Sequence, residues 1–373
     1  MPLPSQTKAL VVHEYGQEPT IDSVPTPEAI PGSAVVKVLA VYCDPSLNDV
    51  LKPRNPYFSN PTPFIPGQSS IARVVAVGPD AVSVAPGQLV LIESFVRGRD
   101  NPQAQILTSI FSGPNTASQK LAKAENWRNG YLTEHARVPL ENCYPLNEAA
   151  LLGSVQDGGL GYQVTDLAVI PKQLVAYGGF RAIDLKAGET VIVAPATGMY
   201  SGAAVEVASA MGARVLAVGR NKEVLQRLAQ SSPHVVPVEL TGDTAKYTEI
   251  LAKFGTIDAM MDFTPASVAS PLYLDAGIGA LSPGGRIVLM GFAYGNLTAP
   301  YAPMVLKRLT IRAQYMYERE DVRGLIKLID RGILRLGKQA GRELVGNYAL
   351  EEWKQAFESC RSITWGKDVV ITP

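Results

Sequence analysis

Up to about residue 147 the apolar positions come in short β-branched runs, at 9–12, 34–41, 71–77, 89–92 and 131–138, broken by Pro and Gly. Runs of that length between frequent turn signals predict short strands in a compact, partly closed β domain. From about residue 189 the rhythm changes. Residues 190–194 form a buried-strand run, 203–211 have helical spacing that stops at Gly212, and 214–218 read as a second buried strand. Further strands are predicted at 235–238, 257–261 and 286–290, with helical segments between them. Continuous apolar strands joined by crossover helices predict a doubly wound α/β domain, a parallel sheet covered on both faces. After Gln314, 319–330 and 350–360 read as amphipathic helices and 368–372 as a closing strand. That tail of about 60 residues is short for a domain of its own and is expected to return to the first. The division expected is 1–165 with 315–373 in one domain and 166–314 in the other. Residues 96–129 are polar and aperiodic, a length of loop that is usually functional or hides structure.

The composition narrows the function. The 373 residues carry 34 basic and 34 acidic side chains, so the net charge is zero and no electrostatic footprint for nucleic acid is present. Three cysteines, Cys43, Cys143 and Cys360, lie far apart without CxxC spacing, which favours a reducing compartment over a disulfide framework. No secretory signal pattern and no long apolar run occurs, so the expectation is a soluble, cytoplasmic protein with no membrane partner.

The most informative segment is the turn Ala194-Pro195-Ala196-Thr197-Gly198-Met199-Tyr200-Ser201 between an apolar strand and a helix. A dinucleotide pyrophosphate needs small residues there, because backbone must approach the phosphates and the helix N-terminus supplies N–H groups and partial positive charge. The fingerprint positions read Ala196, Gly198 and Ser201, so one glycine of the usual three remains. Thr197, Gly198, Met199, Tyr200 and Ser201 are the expected phosphate-side contacts. The second strand runs into Gly219, Arg220, Asn221 and Lys222, where NAD-specific sites carry Asp or Glu for the ribose 2′-hydroxyl. An Arg paired with a 2′-phosphate gains about 1.5–3 kcal/mol. NADPH (NADP+) is therefore the expected cofactor, held by Gly219, Arg220 and Asn221.

These motifs, with Lys8-Ala-Leu-Val-Val12, Pro66-Gly67, Pro86-Gly87, Gly130-Tyr-Leu-Thr-Glu134, Leu185-Lys-Ala-Gly-Glu189 and Gly284-Gly-Arg-Ile-Val288 in order along nearly the whole chain, resemble the medium-chain dehydrogenase/reductase superfamily. The resemblance is to its zinc-lacking quinone-reductase and enoyl-reductase-like members. It implies a chaperonin-10-like β-barrel catalytic domain from both chain ends, a Rossmann domain from the middle, a small-molecule substrate, and a homodimer or homotetramer. It also places Thr264 and Phe292, after two strands of the sheet, among the ribose and nicotinamide contacts.

Zinc-dependent relatives hold zinc at positions that register here with Asp44 or its neighbour, Gln68 and about Pro171. Gln is a poor zinc ligand and Pro is none, so no catalytic metal is expected. The segment 96–129 lacks the cysteines of a structural zinc lobe, and His13, His135 and His234 sit in different elements. Without a Lewis acid an unactivated ketone is hard to reduce, whereas a quinone or enone spreads the developing charge. The resemblance puts Tyr42, Asp44 and Tyr57 among the loops that line the site, as candidate proton donors; Asp44 also suits a turn, because Asp-Pro commonly starts one. The reading is an NADPH-dependent, zinc-independent reductase of an activated C=C or quinone. Its alternatives are an alcohol dehydrogenase or carbonyl reductase and a non-catalytic NADPH-binding protein.

Overall fold

The computed structural model describes residues 3–51, 59–123, 127–240, 242–268, 271–294 and 296–373. The strands in chain order are β1 (Gln6–Val11), β2 (Thr20–Pro25), β3 (Ser33–Tyr42), β4 (Ser70–Val77), β5 (Leu89–Ile92), β6 (Phe95–Arg97), β7 (Gln105–Leu107), β8 (His135–Pro139) and β9 (Cys143–Pro145). They continue with β10 (Thr190–Ala194), β11 (Arg214–Gly219), β12 (Val235–Glu239), β13 (Ala259–Asp262), β14 (Arg286–Leu289), β15 (Thr310–Ala313), β16 (Glu343–Ala349) and β17 (Lys367–Thr372). The chain forms two compact units, one from 1–171, 344–363 and 367–373 and the other from 172–343 and 364–366.

In the first unit β16-β17-β3-β4-β5-β9 form one sheet in that order, with β8 also paired to β3. Alternating apolar residues of β3, β4 and β5, among them Val36, Val38, Val74 and Ile92, pack with Trp353 and Phe357 of the helix Trp353–Cys360. Strands that present one apolar face bury it against a covering element, which is why the C-terminal segment returns here. The aperiodic stretch 96–129 contains the hairpin β6–β7 and the helix Thr116–Lys123.

In the second unit β12-β11-β10-β13-β14-β15 run in that order and all parallel. This is the doubly wound arrangement with a reversal of strand order between β10 and β13. β10 is buried along its whole length, and Ile192, Leu216, Val218, Met260 and Ile287 share one apolar core. The fold class predicted from the hydrophobic pattern, a parallel α/β sheet with a separate β domain, is the one observed.

The second division between units corrects the sequence reading. The helix Arg319–Asp330 belongs to the second unit, and the division falls after Glu343 rather than at 315. Val322, Leu325, Ile326 and Ile329 form its buried stripe, and Asp321 pairs with Arg181 at 3.6 Å. An apolar stripe states that a helix packs but not on what, so periodicity alone could not place it.

The helix Met199–Ala210 after β10 is buried at every position from Ser201 to Ala208. Its Glu206 is only 8% exposed, a costly location for a carboxylate unless it is paired. Oε1 accepts from Arg342 at 2.9 Å and from Trp365 Nε1 at 2.8 Å, and Oε2 accepts from Gln173 at 2.9 Å. The Trp365 ring lies against Gly202, where a Cβ would stand 2.4 Å from it, so a side chain at 202 has no room. Replacing Glu206→Ala would take the carboxylate away from Arg342, which is 3% exposed, and from Gln173 and Trp365. The expected loss is about 3–5 kcal/mol of unfolding free energy, measured by urea denaturation against the parent protein.

Candidate functional site

The strand order of the second unit draws attention to the carboxyl ends of β10, β11, β13 and β14, because ligands of such sheets bind outside them at the reversal. After β10 the chain turns through Thr197 and Gly198 into the helix Met199–Ala210. Gly198 is exposed and Thr197, Met199 and Tyr200 are half-buried, so these four predicted contacts lie at the helix N-terminus, an anion-binding position. Ser201 is buried, and its hydroxyl accepts from the Gly198 N–H at 3.1 Å. It braces the turn from inside.

Beside the turn is a cation that the sequence reading did not find. Lys172, 2% exposed, donates from Nζ to the Tyr200 hydroxyl at 2.8 Å and lies 4.3 Å from the centre of its ring. The two residues are 28 positions apart on different helices, so no spacing rule signals the contact.

At the end of β11, a Cβ on Gly219 would stand 2.7 Å from the Thr197 methyl, so glycine lets this strand end approach the turn. Arg220 is exposed and has no hydrogen-bond or ion-pair partner among the described residues. Asn221 has a different part from the one predicted: its Oδ1 caps the helix Lys222–Ser231 by accepting from Val224 N–H at 3.2 Å. Lys222 pairs with Glu239 at 3.0 Å.

Thr264 and Phe292 come together, the Phe292 N–H donating to the Thr264 carbonyl at 2.8 Å. The Thr264 hydroxyl is buried; it donates to Asp262 at 2.5 Å and accepts from Tyr273 at 2.9 Å. Only Phe292 of this predicted pair, 45% exposed and edge-to-face with Tyr294, presents its side chain outward. Burial pushes the Tyr273 hydroxyl up to about 12, against the bond to Thr264 and the nearby charge of Arg220. Burial also raises the Asp262 carboxyl above the ordinary Asp range, partly offset by its two bonds from Thr264.

In the first unit the predicted acid groups separate. Tyr42, 3% exposed, donates its hydroxyl to Asp368 at 3.0 Å, so it joins β3 to β17 and is closed to a substrate. Tyr57 lies outside the described residues. Asp44 is buried and accepts from the Ser46 N–H at 2.8 Å and from the Ser46 hydroxyl, the turn role that Asp-Pro suggested. Gln68 donates to the same Ser46 oxygen at 2.6 Å. The outcome is a chain Gln68–Ser46–Asp44 in which Gln68 and Ser46 are half-exposed and Asp44 is buried. Neighbouring Cys43 directs its thiol to the Ala356 carbonyl at 3.6 Å. Among the described residues no three His, Cys, Asp or Glu side chains come together as a metal site.

Residues 201–331 match the zinc-binding dehydrogenase family model. An acryloyl-coenzyme A reductase of Metallosphaera sedula is 24% identical over 94% of this chain and 95% of that protein. An alcohol dehydrogenase of a Moraxella species is 25% identical over 87% of this chain and 89% of its own. Among solved structures, a short chain alcohol dehydrogenase from E. coli CFT073 complexed with NADH superposes with a TM-score of 0.76 at 16% identity, over 99% of this chain and 100% of that one.

The Asp262 environment has a pH consequence. A carboxyl whose folded pKa is raised binds its proton more tightly in the folded state, so stability falls as pH rises through the interval between its unfolded and folded values. Asp262→Asn keeps an acceptor for Thr264 and removes the titration. Urea denaturation from mildly acidic to neutral pH is expected to show the variant gaining on the parent as pH rises; a constant difference would contradict the assignment.

Proposed function

We propose that, within the medium-chain dehydrogenase/reductase superfamily of oxidoreductases to which the chain belongs, the protein is an NADPH-dependent reductase of conjugated acceptors, an activated C=C or a quinone, working without zinc. The observation that carries this reading is the chain Gln68–Ser46–Asp44, in which Asp44 and Gln68 register with two of the three metal-ligand positions of zinc-dependent relatives and Ser46 joins them. This donor set does not suit zinc. Catalytic zinc takes three Cys, His or carboxylate donors, and here a carboxylate already engaged by Ser46 stands with a carboxamide and a thiol turned to a backbone carbonyl.

Bound NADPH would supply hydride from nicotinamide C4. The exposed turn at Thr197 and Gly198 and the buried Lys172 would hold its pyrophosphate, and Arg220 its 2′-phosphate. Phe292 would pack against the cofactor as an apolar surface. A C=C that accepts hydride at one carbon needs one proton at the other, and we assign Ser46 Oγ, held between the Gln68 amide and the Asp44 carboxylate, as the relay that passes it on from solvent water, which replaces the proton Ser46 gives up. The acryloyl-coenzyme A reductase relative supports a conjugated acceptor. The alcohol dehydrogenase relative favours the alternative, an alcohol/ketone pair.

Two measurements test the reading. NADPH oxidation against matched enone, quinone and ketone panels, with metal analysis, is expected to show turnover of the conjugated acceptors by zinc-free protein. Ser46→Ala is expected to lower kcat by about 100-fold or more with little change in NADPH affinity, the scale of a lost general acid. Stoichiometric zinc required for turnover would sink the proposal, and NADPH binding with no oxidation of any acceptor would favour a non-catalytic protein. For cofactor choice, Arg220→Ala is expected to weaken NADPH by about 10- to 100-fold and leave NADH nearly unchanged. Equal loss of both would remove Arg220 from the 2′-phosphate.

A further inference from the structure

We propose that the first unit carries a second ligand site, for an oxyanion borne on a small apolar body, in a cavity bounded by β1, β2 and segments 63–65 and 128–137. The cavity holds about 390 Å³, within the size range of small-molecule sites. Val11, Val24, Phe64 and Ile65 give it apolar walls, and Thr26, Arg128, His135 and Arg137 give it polar ones. Among the described residues two guanidinium groups line it and no acidic side chain does.

Charge and hydrogen bonding agree on what would fill it. Arg128 Nε and Thr26 Oγ1 are shielded from solvent and meet no hydrogen-bond partner among the described residues. Buried polar groups are nearly always paired, and one left open costs about 1–3 kcal/mol. Here two such groups belong to the wall of one cavity. The guanidinium plane matches a carboxylate or phosphate and lends two parallel N–H donors to it. Arg137 lines the same cavity and donates to the Glu28 carbonyl at 3.4 Å. Glu134, beside His135 in sequence, does not line the cavity and is held by the Lys8 N–H at 3.0 Å and Thr7 at 3.3 Å. His135 approaches Thr7 at 3.0 Å, and burial keeps its pKa below the usual imidazole value, so it offers a neutral ring rather than a third charge. An acceptor-only headgroup answers the open Arg128 and Thr26 donors, and the four apolar side chains suit a compact hydrocarbon or aromatic body.

Carboxylates and phosphate monoesters share this chemistry, so the test uses one of each. Benzoate and phenyl phosphate are titrated into the full-length protein by calorimetry, with Arg128→Gln, Arg137→Gln and Arg220→Ala in parallel. At least one probe is expected to bind the parent protein one to one. Arg128→Gln and Arg137→Gln should each weaken it by about tenfold or more, and Arg220→Ala should leave it unchanged. Preference for benzoate identifies a carboxylate ligand and preference for phenyl phosphate a phosphate monoester. No binding of either probe at millimolar concentration overturns the proposal, as does parent-like affinity in both cavity variants or loss in Arg220→Ala alone. Arg128 Nε has no bond to lose, so Arg128→Gln should melt with the parent; if it fails to fold, Arg137→Gln decides.

Discussion

The second unit depends on one buried carboxylate. Glu206 accepts three hydrogen bonds, from Gln173, Arg342 and Trp365, and these partners are remote from it and from one another in sequence. Any slide of the helix Met199–Ala210 would separate a charge from its partners in a medium where each open group costs kilocalories. The Trp365 ring seated on Gly202 removes the remaining freedom by contact rather than charge. Ser201, one residue before Gly202, then holds the Gly198 N–H, so the buried clamp fixes a surface turn. The local precision a phosphate site needs is thus produced in the interior.

The same division runs along the other strand ends. Thr264, Asp262 and Tyr273 satisfy one another, Asn221 satisfies a helix end, and Gly219 makes room for Thr197. None of these has a hydroxyl or amide oxygen to spare for a ligand without a rearrangement. Gly198, Arg220 and Phe292 are the groups left facing outward. Residues beside a site therefore separate into those that build it and those that can act in it, and exposure is what distinguishes them.

Exposure is also what the sequence could not convey. Strands such as 89–92 and 190–194 were legible to the residue because short, predominantly apolar runs bounded by turn signals suit a buried strand. The helix at 319–330 was legible as an element, but its partner was not. Tyr42, Asn221 and Thr264 were read as chemical groups because their positions are right; their hydroxyl and amide groups turned out to be committed internally. Lys172 went unread for the opposite reason, since an isolated lysine in a helix carries no signal until the Tyr200 ring is found above it. Ser46 and Gln68 were visible as neighbours of the predicted site, but the bond joining them spans 22 positions and belongs to the tertiary fold.

That bond also explains why the acceptor class follows from the donor class on the proposed reading. Removing a single neutral hydrogen-bond donor to a developing oxyanion costs some enzymes about 2.7–4 kcal/mol, so one such donor is a substantial but limited stabiliser. A ketone concentrates the charge of an arriving hydride on one oxygen and needs a metal, or several donors, to match it. Ser46 and Gln68 supply neutral donors, and Ser46 has already turned its proton toward Asp44. A serine backed by a buried carboxylate is better suited to relaying a proton than to holding an anion. Conjugation spreads the charge before any protein group meets it, leaving the proton as the main requirement, and that is the requirement this arrangement can meet.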